Sequence, residues 1–269
     1  MDHFICSTCG TQYAETTTPP PHCAICDDER QWVPESGQSW TTLRALRLRY
    51  RNSWRRHEPG LWGIGTEPSF AIGQRALLIR HPAGNVLWDC ISLVDEATID
   101  LVSALGGISA IAISHPHYYS SMIEWSRAFG GVPVYLHQRD REWVMRPDPA
   151  IRFWSGATQT IHDGLTLIHC GGHFAGGTVL HWASGAEGRG ALLTGDVIQV
   201  AADRKSLSFM FSYPNYIPLD AGSVQRIADA VSPYSYETIY GAWWDRYVAT
   251  DAQEVMARSV ARYLTAIRS

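Results

Sequence analysis

The residues of this chain that could do chemistry fall into two groups, one of thiols and one of imidazoles. Cys6-x-x-Cys9 and Cys23-x-x-Cys26 set two cysteine pairs thirteen residues apart. Two such pairs offer four thiolates in a tetrahedral arrangement, which suits zinc, whereas a redox dithiol needs only one Cys-x-x-Cys. Further along come His115-Pro-His117, His173 within Cys170-Gly-Gly-His-Phe-Ala-Gly-Gly177, Asp196 in Leu-Leu-Thr-Gly-Asp, and Asp89 in Leu-Trp-Asp-Cys90. Imidazoles two positions apart on a loop can chelate one ion, and a third from a glycine-rich loop can complete the face. Any one of these histidines alone would more often be an ordinary core or surface residue. Three of them converging with a Gly-Asp turn point to a metal site. Cys90 and Cys170 stand alone in apolar surroundings and read as buried small side chains, although Cys170 lies only three residues before His173.

These side chains need elements to hold them. Residues 1–38 carry little apolar periodicity and a Thr-Thr-Thr-Pro-Pro-Pro run (Thr16 to Pro21), so hydrophobic burial alone cannot fold them. Metal binding would supply the missing free energy, and a small zinc ribbon is expected there. After the polar stretch Pro34 to Ser39, the run Leu46-Arg-Leu-Arg-Tyr-Arg51 alternates strictly, as a strand with one buried face does. Its arginines, with Arg44, Arg55 and Arg56, form a basic patch. The reading is a solvated strand face, with an anionic ligand or RNA as the alternative.

From Arg75 the pattern predicts strands at 76–79 and 86–89 around the turn 81–85. Ser92 with Asp95 then gives a helix N-cap signal, followed by apolar residues at helical spacing up to the stop at Gly106-Gly107. A buried-type strand from Ile108 to Ile113 delivers Ser114-His115, and a helix beyond it leads to a strand at 132–136. Later strands are predicted at 165–169, 178–181, 191–194 and 238–240, and amphipathic helices at 220–231 and 251–267. Strands interleaved with helices and ending in polar residues imply one layered α/β domain over residues 39–269, with its site at strand ends.

Ile-Ser-His115-Pro-His117, Gly-Gly-His173-Phe-Ala-Gly-Gly-Thr and Leu-Leu-Thr-Gly-Asp196 follow one another in the order and spacing of the metallo-β-lactamase superfamily, and residues 60 to about 250 resemble it. The resemblance implies an αββα sandwich with the metals in a cleft at one edge. It implies a place among β-lactamases, glyoxalase-type thioesterases, lactonases and nucleases. His115, His117 and His173 would form the first metal position with Asp196 as carboxylate partner, and Asp89 would support rather than ligate. In the ribbon, Cys9-Gly10 is similar to a rubredoxin knuckle, which makes iron the alternative to zinc, but Cys26 is followed by Asp27-Asp28 rather than glycine.

The family motif His-x-His-x-Asp-His reads here His115-Pro-His117-Tyr118-Tyr119-Ser120, and the late Gly-His becomes Gly241-Ala242-Trp243. Tyr119 and Ser120 thus stand where second-metal ligands are expected. A phenol with its ordinary pKa of about 10 is a poor ligand at neutral pH, and Trp cannot ligate. Three imidazoles and a carboxylate suffice for one zinc. The expectation is a mononuclear zinc hydrolase acting on an ester, thioester, lactone or amide through a metal-activated water, with Asp196, Tyr119 and Ser120 as catalytic residues and zinc both in the main site and in the ribbon. The alternative is a non-catalytic, metal-stabilised binding or scaffold module. Tyr118, Tyr119, Phe209, Phe211, Tyr213, Tyr216, Trp243 and Trp244 would favour a bulky or planar ligand, about half of them serving the core instead. His81, His137, His162, His169 and His181 are read as structural, His169 being the one most open to revision.

Composition narrows the classes further. The chain has 269 residues, 45% of them apolar, enough to bury one sizeable core. Against 26 acidic residues stand 22 Lys and Arg, a net charge of -4, so no global basic field recruits nucleic acid or anionic membrane. The N-terminus lacks a basic segment followed by an apolar one, no long apolar run occurs, and the cysteine pattern is not a disulfide framework. A cytoplasmic protein with a small-molecule substrate is the expectation.

Overall fold

The structure is a computed structural model that describes residues 1–267. The chain folds as two compact units, one of Met1–Leu136 with Arg141–Phe153, the other of His137–Asp140 with the chain from Trp154 onward.

In the first unit β1 (Phe4–Cys6) pairs antiparallel with β2 (Trp40–Thr42), and between them the chain makes the single helical turn α1 (Ala24–Asp27). Beyond α2 (Leu43–Arg49) lies a seven-stranded sheet in sequence order, β3 (Arg51–Glu58), β4 (Leu61–Glu67), β5 (Arg75–Ile79), β6 (Val86–Trp88), β7 (Ala110–Ala112), β8 (Val134–His137) and β9 (Ile151–Trp154). Strands β3 to β6 are antiparallel neighbours, whereas β6, β7 and β8 run parallel. Parallel neighbours need crossovers, supplied by α3 (Glu96–Ala104) and α4 (Met122–Ala128). Strands β5, β6 and β7 are buried at every position, as the interior strands of a sheet covered on both faces are.

The second unit carries a six-stranded sheet of order β10-β11-β12-β13-β18-β19. Its strands are β10 (Thr158–His162), β11 (Leu165–His169), β12 (Thr178–Trp182), β13 (Ala191–Gly195), β18 (Thr238–Gly241) and β19 (Tyr247–Val248). The short turn α5 (Gly185–Gly188) joins β12 to β13, and two small antiparallel pairs follow: β14 (Gln199–Val200) with β15 (Leu207–Ser208), and β16 (Met210–Ser212) with β17 (Ile217–Pro218). Helix α6 (Ala221–Val231) makes the crossover to β18, which lies parallel to β13, and α7 (Ala252–Ala266) ends the fold. Val224, Ile227 and Val231 of α6 and Val255, Met256 and Val260 of α7 form one apolar cluster with Val179, Leu192 and Ile239 of the sheet.

Two local expectations are corrected. The alternating run from Leu46 is not a strand: residues 43–49 are helical, and the sheet begins at Arg51. Thr42 caps that helix by accepting from Ala45 N, and Leu46 packs with Ile5, Phe70 and Leu93 beside Leu43 and Tyr50, a stripe of helical spacing. Leu48, the alternate position, is 84% exposed. The arginines therefore do not share a strand face. Arg47 donates to Val94 O at 2.7 Å, while Arg55 and Arg56 sit on the sheet's edge strand, where charge discourages pairing with another chain. The helix N-cap is Asp95, whose carboxylate accepts from Thr98 N at 2.8 Å, rather than Ser92. Ser92 instead donates to Gly10 O at 2.7 Å. Among the described residues no helix is long and apolar enough to cross a membrane.

Candidate metal centre

The thiols meet first. Cys6 closes β1, Gly10 N donates to Cys6 O at 2.9 Å, and both Cys26 N and Asp27 N donate to Cys23 O at 2.9 Å, so each pair sits in a tight knuckle. Cys6 Sγ lies 3.6 Å from Cys26 Sγ, and Cys9 Sγ 3.6 Å from Cys23 Sγ; all four thiols are buried and unbridged. A disulfide would need about 2.05 Å. Zinc–sulfur bonds of about 2.3 Å make a tetrahedron with edges of about 3.8 Å. The spacing fits an ion held by four thiolates, and Tyr13, Trp40 and Trp143 pack around the cluster.

The imidazoles arrive at strand ends. Leaving β7, the chain reaches Ser114, whose N–H donates to Asp89 Oδ1 at 2.8 Å, so the Asp89 carboxylate fixes the backbone just before His115. Pro116 opens a 3-10 turn over residues 116–118, and Tyr118 N donates to His115 O at 3.0 Å. That turn brings the His115 and His117 rings to a centroid separation of 5.1 Å.

After β11 a glycine-rich loop carries His173. Cys170 N and Gly171 N both donate to Gly177 O, at 2.8 and 2.9 Å, closing the loop at its base. A Cβ at Gly177 would lie 2.4 Å from Gly171 O, which is why no larger residue fits there. His173 Nδ1 lies 3.1 Å from Met210 O in β16; with Nδ1 as the donor, Nε2 keeps a lone pair for a metal. Asp196 follows β13, and Tyr213 donates its hydroxyl to Asp196 O at 2.7 Å. Burial, and secondly the charge of Asp196, hold the Tyr213 phenol well above its usual range, so it stays a donor.

One ligand atom from each of His115, His117, His173 and Asp196 lies within 4.8 Å of the others, and all four residues are buried. A carboxylate buried among three imidazoles is costly unless a cation neutralises it. The donor set, three nitrogens and one oxygen, is the kind zinc takes. Asp89 stands outside this group and holds backbone instead.

Of the other residues singled out, Tyr119 is buried, and Ser120, at φ +40°, has its hydroxyl 3.4 Å from Gln74 Nε2. Phe209 joins the core, whereas Tyr216 is 84% exposed at the tip of the β16–β17 hairpin. The Cys170 thiol donates to Ile168 O, and burial pushes its pKa up to about 12; Cys90 is pushed up likewise, so both are poor nucleophiles. His169 lies outside the metal group, its ring stacked on His137 at 4.0 Å. Sequence reasoning missed the Met210 carbonyl and Gln74. The first is backbone, and the second is a lone amide with no motif around it.

No protein-family model matches the chain. It is 51% identical over 271 residues to the uncharacterized protein YmaE of Bacillus subtilis (strain 168), an alignment covering 100% of this chain and 98% of that protein. The chain belongs to the YmaE family. Solved structures give this member of the YmaE family its fold. The metallo-β-lactamase DIM-1 matches with a TM-score of 0.60 at 14% identity over 81% of this chain and 99% of that one. VMB-1 matches at 0.59 and 13% over 81% and 98%. The mono-zinc form of the metallo-β-lactamase FIM-1 from Pseudomonas aeruginosa matches at 0.56 and 14% over 78% and 95%. The mixed α/β fold is thus the metallo-β-lactamase fold, with the four-cysteine cluster fitting a small N-terminal ribbon.

Proposed function

We propose that this chain is a mononuclear zinc hydrolase that cleaves an ester, thioester, lactone or amide, with residues 1–38 as its zinc ribbon and residues 39–269 as its catalytic domain. The observation that carries the reading is the buried group of His115, His117, His173 and Asp196, with ligand atoms within 4.8 Å of one another. The crystal structure of FIM-1 in a mono-zinc form supports the idea that a site on this fold can hold a single ion. Zinc held by these residues supplies Lewis acidity, which polarises a carbonyl and makes water acidic enough to react near neutral pH.

The chain's own residues do the rest. Asp196 offers the carboxylate that takes up a proton from the attacking water, and Tyr213 keeps its backbone still. Tyr119, a phenol that is ordinarily protonated at neutral pH, donates to the developing oxyanion. Ser120, with its hydroxyl beside Gln74, holds the loop from which Tyr119 projects. Tyr119, Ser120 and Trp243 stand where a second ion would need ligands, which supports one ion in this site.

The test is metal content with turnover, on protein purified without chelator. Two ions per chain are expected in the wild type and one in His173→Ala, since zinc with two imidazoles and one carboxylate is under-coordinated. A panel of chromogenic esters, thioesters, lactones and anilides should find one class that the wild type hydrolyses and His173→Ala does not. A filled site without turnover on any class would instead make the chain a metal-stabilised binding module.

A further inference from the structure

Within the first unit the ribbon touches the loop that carries two of the proposed ligands. Gln74, just before β5, is buried, and its Nε2 is 3.0 Å from Cys9 O, 3.4 Å from His117 O and 3.4 Å from Ser120 Oγ. One carboxamide thus joins the carbonyl of a zinc-knuckle cysteine to the carbonyl of a metal-ligand histidine. Two further bonds reinforce the junction. Gln12 N donates to Ser120 O at 3.1 Å, and Ser92 donates to Gly10 O at 2.7 Å. The approach leaves no slack, because a Cβ at Gly10, whose φ is +84°, would lie 2.6 Å from Ser92 Oγ.

We propose that Gln74 is a positioning residue through which the four-cysteine knuckle holds the His115–Ser120 loop in its metal-binding shape. This rests on the metal-site reading above. The physical argument is rigidity. His117 sits in the 3-10 turn Pro116–Tyr118, and Ser120, two residues beyond it, is held at φ +40°, a left-handed conformation that a residue other than glycine keeps only when its surroundings fix it. The knuckle, once locked by its ion, is a fixed point against which Gln74 and Gln12 pin that turn. Groups that orient a metal ligand without touching the metal typically change affinity 10- to 100-fold when removed. The ion in the ribbon and the ion among the histidines are then coupled, and a ribbon emptied by oxidation or by a thiol reagent weakens the second site without entering it.

Cobalt(II) distinguishes the two sites in the full chain, because thiolate ligands give intense charge-transfer bands that imidazole and carboxylate ligands do not. In Gln74→Met, which keeps the volume and removes the donors, the thiolate bands should titrate as in wild type. The histidine-site d–d bands should appear only at cobalt concentrations at least about tenfold higher. A second measurement, independent of how that variant folds, uses wild-type protein with both sites filled. A mercurial that strips the thiols should speed release of the remaining ion to a chelating dye by a similar factor, Cys90 and Cys170 being buried away from the reagent. Histidine-site affinity unchanged in Gln74→Met, both sites weakened in parallel, or an unaltered release rate would each overturn the proposal. A wild type showing only thiolate bands would bring down the metal-site reading as well, a result that Gln74→Met alone cannot give.

Discussion

The two clusters of metal-binding side chains are built in opposite ways. The four cysteines come from residues 6–26, in two knuckles closed by their own backbone bonds, with Tyr13, Trp40 and Trp143 packed around them. The histidine and aspartate group draws on the ends of β7, β11 and β13, and each part has its own outside support: Asp89 for the backbone before His115, Met210 O for His173, Tyr213 for Asp196. A cluster whose purpose is folding can be local, because the ion itself supplies the folding free energy. The histidine and aspartate group is instead held by a second layer of hydrogen bonds from residues distant in sequence, the kind of layer that orients metal ligands.

The largest effect should come from breaking the local cluster. Cys9→Ser removes one of four thiolates, and since ion binding there is folding energy, residues 1–38 should lose one equivalent of metal and become open to protease by orders of magnitude. Limited proteolysis with metal analysis checks this. If the ribbon stays as resistant as in wild type, the cluster is not what folds it.

A smaller effect should follow from thinning the outer layer of the other cluster. Tyr213→Phe deletes the hydroxyl that donates to Asp196 O and should cost about 1 kcal/mol, with metal affinity at the histidine site falling several-fold and the thiolate site unchanged. Isothermal titration on the two proteins decides it. Equal affinities would mean that Tyr213 acts only by packing against His173, whose ring centroid is 5.6 Å away.

The same contrast explains what could be read from the chain. The thiol pairs, His115-x-His117, Gly-Gly-His173 and Gly-Asp196 announce themselves because chelation and tight turns demand particular residues at particular spacings. The metallo-β-lactamase fold was legible through them, as were most strands and both C-terminal helices. The outer layer was not. Gln74 meets Cys9 and His117 only after the chain has folded, and Met210 contributes a carbonyl that every residue has. The run from Leu46 misled because six residues in which Leu or Tyr alternates with Arg satisfy a period of two, while the cap at Thr42 and the spacing of Leu43, Leu46 and Tyr50 satisfied the helical period. At Ser92 a good capping residue was used instead to grip the ribbon at Gly10.

The smallest expected effect concerns two histidines outside both clusters. His137 stacks on His169 at 4.0 Å and meets Trp154 edge-on at 4.6 Å, at the foot of the loop that carries His173. Burial, and then the proximity of His169, lower its pKa from 6.5 to about 4. A histidine depressed in the folded state costs nothing at neutral pH, where both states are neutral. As pH falls through about 6.5 the unfolded chain takes up a proton that the folded chain refuses until about 4, so stability drains away across that window. The second unit should therefore lose stability on mild acidification beyond what ligand protonation causes, while the ribbon feels no part of this term. His137→Phe keeps a ring for both stacks and removes the titration. Its melting temperature should fall less steeply than that of wild type between pH 6.5 and 4.5, by a few degrees at the lower end, given that about 1 kcal/mol moves Tm by roughly 2–4 °C in a chain of this size. Parallel curves for the two proteins would show that the stack bears no proton-linked strain, leaving the metal ligands as the origin of any acid sensitivity.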